Sequence, residues 1–172
     1  MRRVIIESPF AGDVEANTRY LKQAVIDCLT RGESPYASHG FFTHFLDDNE
    51  PSQRMAGIKA GLEWAKAADA VIYYLDRGMS QGMLFALEKH VQAARKVEVR
   101  LLQGPWDVVS FHYKNWRGEE SDRRARFQGF YWGRTEWHPR DQILMKAHCL
   151  DRNEDRVFAL ADMIFQPSAQ VL

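Results

Sequence analysis

The chain has 172 residues, of which 45% are hydrophobic and 27% are charged, and its formal net charge is +0. These values are typical of a globular protein and exclude an overall electrostatic attraction to nucleic acid or to a membrane surface. The apolar run that follows Arg3 meets a charge at Glu7, too soon for a signal peptide, and no apolar run approaches about 20 residues, so we expect a cytoplasmic protein without a membrane span.

Strand-like and helix-like segments alternate in the first half of the chain. In chain order we predict a strand over 4–6, a turn over 8–13 with Asp13 as helix cap, a helix ending at Gly32, a strand over 34–38, an irregular aromatic-rich loop over 39–51, a helix capped by Ser52, a strand over 70–75, a helix over 80–94 and a strand over 97–102. This alternation predicts an α/β fold in which a Rossmann-like parallel sheet has flanking helices.

The pattern changes at Gly104-Pro105. Strand-like segments then follow one another at 108–113, 123–132, 143–149 and 156–159, with a short final helix near 160–164. We therefore predict two domains, an α/β domain over 1–103 and a small, mostly antiparallel, β-barrel-like domain over 104–172.

A small-ligand site is predicted at the carboxyl edge of the parallel sheet, where three loops, 8–13, 36–45 and 76–82, should converge. The segment 76–83 reads Asp-Arg-Gly-Met-Ser-Gln-Gly-Met and joins a predicted strand to a predicted helix. Small residues let a ligand approach the backbone, and a helix N-terminus offers free N–H groups to an anion. The arrangement favours a nucleotide or a sugar phosphate.

Two carboxylates are candidate catalytic groups. Glu88 lies two helical turns beyond Ser80 and could attack the anomeric carbon of a sugar, or it could be a surface residue paired with Lys89 or Gln92. Asp76 could bind ribose hydroxyls or act in acid–base chemistry, or it could be a turn residue that bonds its own backbone.

Other residues likewise have one functional and one purely structural interpretation. Ser80 and Gly82 could bind phosphate, and Ser80 would cap the helix in either case. His39 could donate to a phosphate or a hydroxyl, or only be hydrogen-bonded in its loop. The basic and aromatic stretch 113–126 is either a nucleic-acid surface or a solvated hairpin, and nearby acidic residues favour the hairpin. Cys28 and Cys149 are expected to be buried free thiols, and we predict neither a metal nor a cofactor.

Several of these residues also form a recognisable set. Ser38-His39, Leu46-Asp47-Asp48, Pro51, Arg54, Gly57, Gly61, the motif Asp76-x-Gly-x-Ser-x-Gly-Met and Glu98-x-Arg100 together resemble an uncharacterised phage and bacterial branch of the nucleoside 2-deoxyribosyltransferase-like superfamily. The resemblance covers about residues 2–102. It implies a Rossmann-like fold, a homo-oligomer and cleavage or exchange of N-glycosidic bonds.

The resemblance also implies residue roles. Glu88 would be the nucleophile, Ser80 would contact the 5′ end or its phosphate, and Ser8-Pro9-Phe10 would line the sugar site. The full expected set is Glu88 and Asp76 as catalytic residues and Ser8, Pro9, Phe10, Ser38, His39, Arg54, Ser80, Gly82 and Met83 as ligand-binding residues. In the superfamily the glutamate follows the serine by about six residues, whereas here the separation is eight.

The second half resembles WYL-type domains, through Tyr113-x-Asn115-x-x-Gly118-Glu119, Trp132-Gly133-x-Thr135-x-Trp137-His138-Pro139 and Arg156-x-Phe158-Ala159. That resemblance implies a small barrel that binds nucleic acid or a regulatory ligand.

Two functions follow for the whole chain. The first is a nucleoside or nucleoside-monophosphate N-glycosidase or deoxyribosyltransferase. The alternative is a non-catalytic, phage-encoded protein that binds or sequesters a nucleotide signal.

Overall fold

The computed structural model describes residues 1–105 and 107–167, and its first sheet has four parallel strands. These are β1 (Arg2–Glu7), β2 (Glu33–Tyr36), β3 (Ala70–Tyr74) and β4 (Val97–Arg100), in the order β2-β1-β3-β4. The order reverses between β1 and β3, and a crevice opens at such a point beyond the carboxyl ends of the strands.

Helices cover both faces of this sheet. They are α1 (Val14–Thr30), α2 (Ser38–Phe42), α3 (Pro51–Trp64) and α4 (Gln81–Gln92). Tyr20 and Ala24 of α1 pack on one face against Ile6 and Ile72. Residues of α4 such as Leu87 pack on the other face. The predicted α/β fold with a parallel sheet and flanking helices is therefore confirmed.

Two details of the segment 38–52 differ from the sequence-based expectation. The predicted loop over 39–51 contains the helix α2, and α3 begins at Pro51 rather than after a Ser52 cap. The Glu50 side chain caps α3 by accepting a hydrogen bond from the Gln53 N–H at 2.9 Å. Proline suits the first helical position because its fixed φ is already helical and its missing N–H would have had no partner.

The second sheet has five antiparallel strands. They are β5 (Val108–Lys114), β6 (Glu120–Gly133), β7 (Gln142–Cys149), β8 (Glu154–Ala159) and β9 (Met163–Phe165), in the order β8-β7-β6-β5-β9. Among the described residues β8 and β9 lie at the two ends of this order, so the pairings give an open sheet rather than the predicted barrel-like closure.

The short helix predicted near 160–164 is present only over its first three residues. A 3₁₀ turn over Leu160–Asp162 leads into β9, which pairs with β5. Met163 and Phe165 are buried, whereas Ile164 between them is 69% exposed. That alternation has the period of a strand, and pairing with β5 gives its backbone a partner that a one-turn helix would lack.

One apolar core joins the two sheets. Tyr73 and Leu87 of the first unit belong to the same buried cluster as Phe111, Phe158 and Phe165 of the second. The proposed division into 1–103 and 104–172 stays a prediction, and its second part includes residues outside the described ones. Both cysteines are buried and free, as predicted. Within the described residues, no helix has the length and apolar character needed to cross a bilayer.

Candidate functional site

A cavity of about 300 Å³ lies at the carboxyl edge of the parallel sheet. Residues that follow β1, β2 and β3 line it together with α3, so the predicted convergence of the three loops is confirmed. It brings together all but one of the residues expected to bind ligand, namely Ser8, Phe10, Ser38, His39, Arg54, Ser80, Gly82 and Met83. Pro9 is buried beside them without lining the cavity.

One wall of the cavity attracts anions. Ser80 caps α4 by accepting a hydrogen bond from the Met83 N–H at 3.3 Å, which leaves the N–H groups of Gln81 and Gly82 without an intrahelical acceptor. Arg54 lies at the same helix end. A Cβ atom built at Gly82 would be 3.3 Å from Arg54 Nη2. Arg54 Nη1 donates to Asp48 at 2.8 Å, so one carboxylate holds the guanidinium in position.

A serine–histidine pair also lines the cavity. Ser8 follows β1, His39 lies in the first turn of α2, and Ser8 Oγ and His39 Nε2 are 2.9 Å apart. Desolvation lowers the pKa of His39 and outweighs the opposing effect of the Glu7 and Asp48 carboxylates. The ring is therefore neutral at pH 7 and can both donate and accept a hydrogen bond.

Glu7 is a cavity residue that the sequence interpretation missed. It is the last residue of β1 and faces His90, a buried residue of α4, with Oε1 3.6 Å from Nε2. Arg95 Nη1 lies 3.0 Å from His90 Nδ1, and since arginine can only donate, the proton of a neutral His90 lies on Nε2. Among the described residues Nε2 has no hydrogen-bond partner, and the Glu7 carboxylate at 3.6 Å lies just beyond hydrogen-bonding distance.

Position at the carboxyl end of a strand was the one sequence signal available for Glu7. Asp48 was part of the recognised motif, but its contact with Arg54 depends on the fold of the 43–50 segment. Nothing in the sequence pairs Glu7 with His90.

Asp76 does not line the cavity. It is fully buried, and its carboxylate accepts hydrogen bonds from the Tyr20 hydroxyl at 2.6 Å and from the N–H groups of Leu102 and Gln103 at 2.9 and 3.0 Å. Burial and the neighbouring Asp76 carboxylate raise the pKa of Tyr20. Asp76 therefore ties α1 to the chain that leaves β4, and this placement does not fit the catalytic role expected for it.

Glu88 does not reach the cavity either. Its side chain is 41% exposed, lies 3.5 Å from the Lys89 ammonium and accepts a hydrogen bond from Gln92 at 3.1 Å. Helix α4 begins regularly after the Ser80 cap, so no irregular first turn draws Glu88 back toward the ligand edge. A nucleophile must come within about 3–3.5 Å of the reacting atom, so this placement does not fit the role expected for Glu88.

The described residues contain no group of three His, Cys, Asp or Glu side chains arranged to hold a metal ion.

The residues that line the cavity lie within the part of the chain that matches a protein-family model. A family model described as "Domain of unknown function (DUF7768)" matches residues 2–100, which run from the start of β1 to the end of β4. Among solved structures, the chain is similar to a 2-deoxyribosyltransferase from the psychrotolerant bacterium Bacillus psychrosaccharolyticus. The TM-score is 0.43 and the identity 16%, over 60% of this chain and 74% of that chain. No curated protein matched the chain.

Proposed function

We propose that the chain, which belongs to the family of the domain of unknown function (DUF7768), binds a nucleoside monophosphate or a similar sugar phosphate in the cavity at the edge of its parallel sheet. The observation that carries this proposal is that the Arg54 guanidinium lies beside the N-terminus of α4. Both features favour an anion, and a phosphate can accept from the guanidinium and from the free N–H groups together.

The rest of the cavity suits the uncharged parts of such a ligand. Phe10, Ile58 and Leu62 supply apolar surface for a base, while Ser8 and His39 supply hydrogen-bonding groups for sugar hydroxyls. The volume of about 300 Å³ lies at the lower end of the range for small-ligand sites. The site therefore fits one nucleotide rather than a dinucleotide.

The test compares each nucleoside monophosphate with its nucleoside by calorimetry on the wild-type protein and on Arg54→Gln. A charge-assisted hydrogen bond contributes about 1.5–3 kcal/mol, so Arg54→Gln should weaken phosphate binding by roughly 10-fold or more and leave nucleoside binding nearly unchanged. Arg77→Gln is the matched control, because Arg77 lies in the adjacent loop and donates to Asn17 instead. Equal affinity for nucleosides and monophosphates would overturn the proposal.

Gly82→Ala separates binding from folding. Its Cβ would lie 3.3 Å from Arg54 Nη2, in the space where the anion is expected. Alanine has a higher helix propensity than glycine, so the variant should unfold no earlier than the wild type while binding phosphate more weakly. Loss of affinity in a protein of unchanged melting temperature would locate the phosphate at this helix end.

The second candidate is N-glycosidic cleavage, which the position of Glu7 on the cavity wall favours. The Glu7 carboxylate would form an ester with the anomeric carbon as the carbon–nitrogen bond breaks, and the departing base would take a proton from solvent. Water would then hydrolyse the ester, which returns the carboxylate and releases the sugar phosphate.

Release of free base from a panel of nucleoside monophosphates tests this candidate. If Glu7 is the nucleophile, Glu7→Gln should abolish release and Glu88→Gln should leave it unchanged. Binding without release from any member of the panel would leave non-catalytic binding as the remaining function.

Three expectations stay predictions: homo-oligomerisation, the phage origin and the WYL-type character of 104–172. Light scattering of the purified protein would test the first.

A further inference from the structure

Two exposed tryptophans stack on each other on the second sheet, far along the chain from the cavity residues. Trp116 follows β5 and Trp137 lies between β6 and β7, with ring centroids 5.0 Å apart and an interplanar angle of 22°. They are 56% and 54% exposed. They border a surface cleft of about 260 Å³, here called the tryptophan cleft, which also includes Tyr113, Arg117, His138 and Arg156.

Each tryptophan is held on a hydrogen-bonded turn. In the first turn, Asn115 Oδ1 accepts from the N–H groups of Arg117 and Glu119 at 2.9 and 3.0 Å. In the second, the Thr135 hydroxyl and carbonyl accept from the His138 N–H at 3.1 and 3.2 Å. The two rings are thus positioned by local backbone bonds as well as by stacking. A ligand that stacks on them would not have to order a flexible loop.

The cleft is cationic and has a fixed floor. The Arg117 guanidinium carbon lies 4.7 Å from the centroid of the Trp116 ring, and Arg156 faces the cleft with only a 3.6 Å contact to Glu154. The Tyr113 hydroxyl and His138 Nε2, both of buried residues that line the cleft, are 3.3 Å apart. Arg117 lies over Trp116, Trp116 stacks on Trp137, and both rings are more than half exposed, so aromatic surface remains for a further planar group.

We infer that the tryptophan cleft binds a planar aromatic ring that carries an anionic group, the chemistry of a nucleotide. Aromatic faces accept bases of any identity, while arginines attract the phosphate. Two arginines at the cleft disfavour a cationic ligand. None of the residues of this cleft lines the cavity at the parallel sheet, so the inference stands independently of the function proposed for that cavity.

Quenching of tryptophan fluorescence by AMP tests the inference, with adenosine as the uncharged comparison. Stacking on an aromatic side chain predicts that Trp137→Ala weakens AMP binding by roughly 5- to 150-fold. Trp64→Ala is the matched control, because Trp64 is also 56% exposed but packs against Tyr36. Arg156→Gln should weaken AMP binding and leave adenosine binding unchanged.

The measurements are made in the Arg54→Gln background, so that binding at the other cavity contributes little to the signal. An eight-nucleotide single strand of deoxyadenosines is the second probe. Trp137-dependent binding that is tighter for this strand than for AMP identifies single-stranded nucleic acid as the source, and the reverse identifies a free nucleotide. Quenching that survives Trp137→Ala, equal binding of adenosine and AMP, or no binding of either probe would overturn the inference.

Discussion

The buried hydrogen bonds of Asp76 predict that this residue contributes strongly to stability. Asp76→Ala would leave the Tyr20 hydroxyl and the N–H groups of Leu102 and Gln103 without their acceptor. Each unsatisfied buried donor costs about 1–3 kcal/mol, and water can reach the exposed residue Gln103, so the lower part of the summed range for three donors applies. We expect a loss of about 3–5 kcal/mol in the free energy of unfolding.

Urea denaturation followed by circular dichroism measures this loss, and at this chain length each kcal/mol corresponds to about 2–4 °C in melting temperature. Tyr20→Phe removes one of the three donors and should cost about 1–2 kcal/mol. Because Tyr20 and Asp76 contact each other, the double variant should be less destabilised than the sum of the single variants.

Glu88→Ala is the matched control from the same initial pair of candidates. The Glu88 side chain is 41% exposed, and its polar contacts among the described residues are with Lys89 and Gln92 of α4, so the change should stay within about 0.5 kcal/mol. Asp76→Ala within 1 kcal/mol of the wild type, or Glu88→Ala destabilised as strongly as Asp76→Ala, would refute this reasoning.

Three further predictions concern packing and pH. Phe111→Ala should cost about 3–5 kcal/mol in urea unfolding, because this buried ring contacts residues of β8 and β9 at the centre of the shared core. Burial opposes ionisation of Glu98, but hydrogen bonds from Arg2 and Lys96 outweigh it and lower the pKa from 4.5 to about 2. Stability should therefore fall as the pH falls from 4.5 toward 2, less steeply in Glu98→Gln. In Gly61→Ala the new Cβ would lie 2.7 Å from Ser38 Cβ, so thermal unfolding should show a loss of about 1–3 kcal/mol and calorimetry weaker phosphate binding.

The sequence predicted the parallel sheet and the convergence of its loops, because apolar strands and glycine-bearing turns carry strong local signals. It did not predict α2, whose sequence includes Gly40. A side chain at Gly40 would begin 2.6 Å from Leu21 Cδ2, so glycine allows α2 to pack closely against α1 although glycine disfavours a helix. Tertiary contacts therefore outweigh local propensity in that segment.

The orientation of α4 explains the errors at the site. Met83, Leu87 and Val91 of this helix are buried, but the sequence alone could not show whether the neighbouring Glu88 faces ligand or solvent. The role of Asp76 depends on Tyr20 and on the backbone after β4, and the position of Glu7 depends on His90. Such contacts join residues that are distant in sequence, so one chain read alone gives no signal for them.

The core shared by the two sheets has a consequence for how the protein is made. As the chain leaves the ribosome, the apolar face formed by Tyr73 and Leu87 emerges long before Phe165, which completes its cover. The turn at the ligand edge also lies close to β9, since a Cβ built at Gly78 would be 3.2 Å from the Phe165 carbonyl oxygen. Ribosome-bound chains halted at Leu150 should thus remain sensitive to protease and recruit chaperones, and full protection should arise only after β9 has left the exit tunnel.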